Sequence, residues 1–373
     1  GSNWQLIKTK GWGDKFVPAS EGALSDEIKL DSIFPWFQSG AKFQRKLPIA
    51  VTPEALDKRW DALYESGHAD AELFAPDRDR TIEAERNSLF TGEPLPPLKD
   101  PNSYVTKQLV VRYGFRSFDR QWCFADHRAG TYIRQQLWDS LSDEQIYLVS
   151  LTSTSLSNGP AVTVSPYVPD LHFFRGSFGA KDVYPLYRTS DAEQLNVSKS
   201  LLSCLQSYYG RKVGGVEVAA YVVGLLGTAA YTRHFKDELA EAVAHVPFTS
   251  DADLFHQVVE FGRRIIFEQT WGERGAPLNE FGQPIWQRYH GKSIIGTPTS
   301  TSVYPETWSY DYDSHQLVVG DGRFDHVPPE VMSYEVSGMN VVASWLGYRM
   351  KEPAGKSSSP LDKIQASTWH HDT

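Results

Sequence analysis

A glycine followed by lysine and serine is how a phosphate-cradling loop closes, and the chain has that ending twice, at Gly291-Lys292-Ser293 and Gly355-Lys356-Ser357. The loop also needs a glycine five residues before its second glycine, and those positions hold Trp286 and Met350. Neither is a nucleotide-binding loop. Gly-x-Gly-x-x-Gly, His-Glu-x-x-His and Gly-x-Ser-x-Gly do not occur, so dinucleotide, zincin and α/β-hydrolase chemistry lack their usual anchors. His127 follows Asp126 and His172 lies two residues after Asp170, a metal or acid-base pattern in type, but strand neighbours such as Asp126 and His127 point to opposite faces. Glu27-Ile28-Lys29 has the Glu-x-Lys form of a metal-dependent nuclease without an upstream Pro-Asp, and chance explains it better. Cys123 and Cys204 are too few for a thiolate zinc site or a disulfide framework, and a reducing cytoplasm is the expected compartment.

What remains is recognition chemistry. The 373 residues hold 37 Lys+Arg against 46 Asp+Glu, a net charge of −9, which argues against indiscriminate coating of nucleic acid. The charges are unevenly placed. Residues 50–100 carry 6 bases against 12 acids, and residues 237–260 carry 6 acids and no Lys or Arg. Residues 104–140 carry 6 bases against 3 acids, with Arg112, Arg116, Arg120, Arg128 and Arg134 set among Tyr113, Phe115, Phe118, Trp122, Phe124 and Tyr132. Residues 171–212 show the same 6 against 3, so a polyanion can be gripped locally while acidic faces repel it elsewhere. The bland alternative is a solvated charged surface. Eleven Trp and eighteen Tyr would also suit sugar stacking, but Trp60 and Trp345 fall in amphipathic patterns and read as core.

The elements that must carry these side chains read as mixed α+β. Thr52-Pro53-Glu54, with Leu56, Trp60 and Leu63 behind it, predicts a capped helix from Pro53 to Glu65. Residues 74–103 are charged and then proline-rich, and read as a linker or surface excursion. Short β-like runs follow at 108–113, 121–124, 145–151, 161–168 and 183–187. From 215 to 270 the period becomes helical: an apolar run from Val216 to Leu226, then Tyr231, Phe235, Leu239 and Val243, then Leu254, Val258, Phe261 and Ile265, predicting three packed helices. Gln316 to Phe324, turning at Gly320-Asp321-Gly322, predicts a β-hairpin, and Asn340 to Trp345 a short helix or strand. This divides the chain into a connector (1–103), a sheet-rich recognition region (104–212), an inserted helical block (213–290) and a C-terminal hairpin with a closing loop (291–373). No apolar run is long enough to span a membrane. Gly1 and Ser2 read as a cleaved tag, and a start without Met leads us to expect a piece of a longer polypeptide.

Tyr113-Gly114-Phe115-Arg116-Ser117-Phe118-Asp119-Arg120-Gln121-Trp122 resembles the aromatic-Arg-x-Phe-Asp-x-Arg-Trp signature that opens the target-recognition region of type ISP restriction-modification enzymes. Further blocks follow in the family's order: Val168-Pro169-Asp170-Leu171-His172, Tyr184-Pro185-Leu186-Tyr187, Tyr231-x-x-x-Phe235, Gly262-Arg263-Arg264 and Val319-Gly320-Asp321-Gly322-Arg323-Phe324. Val327-Pro328-Pro329-Glu330-Val331, Trp345-Leu346-Gly347-Tyr348-Arg349 and Lys356-Ser357-Ser358-Ser359-Pro360 close the series, which resembles the actinobacterial methyltransferases of this group.

The resemblance implies the carboxy-terminal target-recognition piece of an adenine-specific DNA methyltransferase active in phage defence, with nuclease and ATPase domains in some members. The expected partners are double-stranded DNA and the methyltransferase domain of the same polypeptide. The sequence agrees that the catalytic half lies elsewhere, because no Asp/Asn/Ser-Pro-Pro-aromatic loop is present; Leu95-Pro96-Pro97-Leu98 and Val327-Pro328-Pro329-Glu330 have the wrong neighbours. No cofactor is expected in this chain, and S-adenosylmethionine is expected in the methyltransferase. Candidate DNA-binding residues are Arg116, Arg120, Arg128, Arg134, Arg175, Lys181, Lys292, Arg349, Lys356 and Ser357, with base readers expected at 153–158 and 175–181. Two plainer readings stand beside this. The Arg116 to Arg120 block can be an Arg-Asp pair locking a sheet to its neighbour, and the whole chain can be a docking module that reads no DNA.

Overall fold

The computed structural model describes residues 28–350, except 44–46, 78–79, 152–155, 175–180, 238, 240–243, 288–304 and 321. At its centre is a four-stranded antiparallel sheet in the order Thr163–Ser165, Tyr147–Leu151, Lys181–Pro185, Gln38–Ser39. Every residue of Tyr147–Leu151 is buried, as expected of a middle strand covered on both faces. Beside it stands the signature hairpin, Val110–Arg116 with Asp119–Phe124, extended by the short strand Ile49–Ala50. Parallel bridges from Gly114 to Pro169 and from Ala41 to Asp170 tie hairpin and connector to the Pro169-Asp170 segment.

The helix Pro53–Tyr64 forms where its cap predicts, with Thr52 Oγ1 accepting from Ala55 N at 3.2 Å. It packs Leu56, Trp60 and Leu63 against Phe124 and Leu98 in a second cluster. Residues 74–103, expected as a linker, are held to that cluster: Phe74 and Leu98 are buried in it, and Leu98 O accepts from Tyr64 OH at 2.9 Å. Local composition cannot show this, because the anchoring partners are distant in sequence.

The helical block contains Gly215–Leu226, Ala229–His234 and Ala252–Gln269. The buried face of Ala252–Gln269 is only partly the one predicted, with Val258 and Ile265 packed at its edge. Phe255, Val259, Gly262 and Ile266 face inward, while Leu254 and Phe261 are 46% and 53% exposed. Backbone proximity chooses this face: a Cβ on Gly262 would lie 1.7 Å from Ala220 O, and one on Gly224 would lie 2.5 Å from Val258 O. The two helices cross at small residues, so the glycine must point inward and carries the neighbouring apolar positions with it. Gln269 Oε1, accepting from Val164 N at 2.8 Å, ties the long helix to the central sheet.

The C-terminal hairpin pairs Gln316–Val319 with Gly322–Phe324, Gly320 taking the positive φ of 55° that the turn needs. Asn340 caps the helix Val341–Gly347 through Ala343 N at 2.8 Å, which settles the expected helix or strand as a helix. The largest apolar cluster draws on all four expected segments, from Leu30 through Val149 and Val222 to Tyr348. The folded unit is thus α+β, built around many small antiparallel sheets.

Candidate nucleic-acid interface

The signature hairpin turns on two residues, Ser117 and Phe118, between the paired Arg116 and Asp119. Phe118 sits at φ 64°, the left-handed region that such tight turns demand and that disfavours a bulky side chain. The surroundings hold it there. Ser117 N donates to Phe173 O at 2.7 Å, Ser117 Oγ shares a hydrogen bond with Thr163 Oγ1 at 3.0 Å, and the Phe118 ring meets Tyr334 edge-on at 5.5 Å.

Behind the tip, the predicted phosphate-binding arginines separate by burial. Arg116 donates to Asp170 Oδ1 at 2.8 Å and to Tyr348 OH at 3.1 Å. Burial alone would lower its pKa, but Asp170 and Tyr348 outweigh that effect and raise it. Asp170 is a junction, accepting also from Tyr113 OH at 3.0 Å and His172 N at 2.8 Å. Arg349 grips Asp119 with two bonds of 2.7 and 3.1 Å and stacks on Trp345. Arg128 grips Asp126 in the same way and donates to Pro96 O and Thr106 Oγ1. Arg116, Arg128 and Arg349 are 5%, 1% and 1% exposed and each is ion-paired to a buried aspartate, which speaks against the phosphate-binding role expected of them. The Arg-Asp lock describes the block. Through Asp119 and Arg116 it fastens Arg349 and Tyr348 of the C-terminal segment onto the hairpin.

Arg120 points the other way, pairing with Glu273 at 3.0 Å, donating to Tyr167 OH at 3.3 Å and lying over Trp271. Arg134 lies over the Tyr132 ring at 5.3 Å. Lys181 is placed by its backbone, paired with Leu151. Leu151, which precedes one of the two segments expected to read bases, and Lys181, which ends the other, are thus neighbours at the end of one strand pair. Arg175, Lys292, Lys356 and Ser357 lie outside the described residues.

Catalytic alternatives gain nothing from the geometry. Burial, with Asp170 and Asp126 nearby, pushes the Cys123 thiol well above its ordinary range, away from a reactive thiolate. Burial and Arg86 lower the pKa of His127. Among the described residues no three His, Cys, Asp or Glu side chains gather as a metal site. None of the described helices is long and apolar enough to cross a membrane. Sequence reasoning missed Asp170 and Tyr348 as partners of Arg116, which lie 54 and 232 residues from it, beyond the reach of any local spacing.

No curated protein matches the chain significantly. Among solved structures, the DNA-bound ATP-dependent Type ISP restriction-modification enzyme LlaBIII superposes with a TM-score of 0.57 at 14% identity, over 96% of this chain and 24% of that one. A nuclease-deletion mutant of the Type ISP enzyme LlaGI with a DNA substrate mimic gives 0.56 at 12%, over 96% and 28%. The DrdV-DNA complex gives 0.53 at 15%, over 85% and 33%. The chain therefore spans about a quarter to a third of the length of these neighbours, and at such identities the likeness is one of fold. The family described as Type ISP C-terminal specificity domain matches residues 32–373. With that match over nearly its whole length, the chain belongs to the Type ISP C-terminal specificity domain family.

Proposed function

We propose that this domain recognises a specific site on double-stranded DNA for a cytoplasmic restriction-modification enzyme of the type ISP class. The remainder of the polypeptide would carry an adenine-specific methyltransferase with its S-adenosylmethionine. The observation that carries the reading is the specificity-domain match across residues 32–373, and the fold neighbours LlaGI and LlaBIII are themselves enzymes of this type in complexes with DNA or a DNA mimic.

The geometry supports a division of labour. Internal Arg-Asp locks hold the hairpin and the C-terminal segment together, and base reading falls to segments 153–158 and 175–181, whose bordering residues Leu151 and Lys181 are paired in the central sheet. Held in this way, the duplex would offer its adenine to the methyltransferase for flipping.

Mapping methylated adenines in DNA from cells that express the whole polypeptide tests this. A single asymmetric methylated site is expected, and replacing residues 153–158 should change or relax that site while leaving methylation chemistry intact. A site that persists unchanged through replacement of both segments would overturn the assignment of base reading to them.

A further inference from the structure

Of the predicted DNA-binding arginines whose side chains are described, Arg116, Arg120, Arg128 and Arg349 each pair with a carboxylate. Arg134 does not. It lies over the Tyr132 ring at 5.3 Å, and Lys42 lies over the same ring at 5.7 Å, opposite Tyr132 in the antiparallel register. Among the described residues neither cation has an ion-pair partner, and Arg134 Nε has no hydrogen-bond partner. Tyr132 is 38% exposed, Lys42 and Arg134 are half-buried beside it, and Arg134 Nε itself is buried. Two cations gathered on one exposed ring, neither ion-paired among the described residues, make a local positive site for an anion from outside.

The backbone supports the same view. Arg134 holds φ 58° and ψ 59°, a left-handed conformation that costs a non-glycine residue roughly 1–2 kcal/mol. Such strain persists where a side chain's position matters more than local comfort.

We infer that Lys42, Tyr132 and Arg134 form a contact for the phosphate backbone of duplex DNA, separate from the base-reading segments. The inference rests on the DNA-recognition reading above and deepens it by naming where the phosphate grip lies. Two cations fix adjacent phosphates, and the tyrosine between them holds both stems in place and offers its hydroxyl as a further donor. The contact fixes register and carries no sequence information.

The test is the salt dependence of duplex binding by the chain, comparing wild type, Lys42→Gln, Arg134→Gly, the double variant and a Lys58→Gln control on the exposed face of the helix Pro53–Tyr64. Arg134→Gly removes the cation at a position where glycine is unstrained, so its thermal midpoint should not fall. The slope of log affinity against log salt should become shallower by about one per cation removed and by about two in the double variant. The preferred DNA sequence should be unchanged, and Lys58→Gln should behave as wild type. Wild type that binds a preferred site while the double variant keeps both slope and affinity overturns this inference alone. The inference falls equally if the double variant loses only its association with the methyltransferase part of the polypeptide, which would make the patch a protein contact. Wild type that binds no duplex at any salt overturns both this inference and the reading beneath it.

Discussion

An arginine destined for a phosphate and one destined for a buried aspartate look the same in a sequence, and the signature block shows how burial separates them. Arg116 and Arg349 end on Asp170 and Asp119 with side chains 6% and 2% exposed. Removing Asp119 leaves the Arg349 guanidinium buried without its carboxylate, so Asp119→Ala should cost about 3–5 kcal/mol in urea denaturation. Replacing Asp119 and Arg349 together by Leu and Met should recover much of that loss. Asp182 behaves in the opposite sense. Its Oδ2 is buried without a hydrogen-bond partner among the described residues, and burial, with Asp31 nearby, raises its pKa from the ordinary 3.8 to about 6. The folded chain then holds this proton more tightly than the unfolded chain, so the associated stability is complete below about pH 4 and is lost as the pH rises through about 6. Asp182→Asn should therefore flatten the stability profile between pH 4 and 6. At pH 7 it should stabilise the fold by roughly 1–2 kcal/mol once solvent screening is allowed for.

At the scale of elements, what the sequence made legible were features written locally. The Thr52-Pro53 cap, the Gly320 turn and the strand runs around 147–151 and 183–185 all lie where composition and period put them. The inward face of Ala252–Gln269 is centred on Phe255, Val259, Gly262 and Ile266, with Val258 and Ile265 of the expected row at its edge and Leu254 and Phe261 exposed, a choice that hydrophobic period alone cannot make. The helix crossing decides. Ala220, Gly224 and Gly262 bring two backbones together, and this gives Gly262 of the Gly262-Arg263-Arg264 block a packing reason to be glycine. Gly262→Ala should force the helices apart and destabilise the fold by about 1–3 kcal/mol or more, visible as a lower thermal midpoint. The same change at the exposed Gly282 turn, where no atom lies within 4 Å of an added Cβ, meets only the strain of its φ of +72°.

For the whole molecule, the family and the mixed α+β class were readable because an ordered series of short blocks runs the length of the chain, and the match over residues 32–373 agrees with that series. The candidate interface was readable only in part. Arg134 stands out from its place in a basic, aromatic stretch, whereas its companion Lys42 lies 90 residues upstream of the Tyr132 it pairs with, and strand pairing alone brings the two together. Internal carboxylates take up Arg116, Arg128 and Arg349, and under the proposal above phosphate binding falls to Lys42 and Arg134 and base reading to separate segments. The central claim is that the domain itself distinguishes DNA sequences. Selection by this chain from a pool of random duplexes, at low and then moderate salt with sequencing of the retained fraction, tests it most directly. Enrichment of one short asymmetric site that survives the added salt is the predicted result. Retention without enrichment, lost in step with rising salt, would contradict it and leave only non-specific phosphate binding.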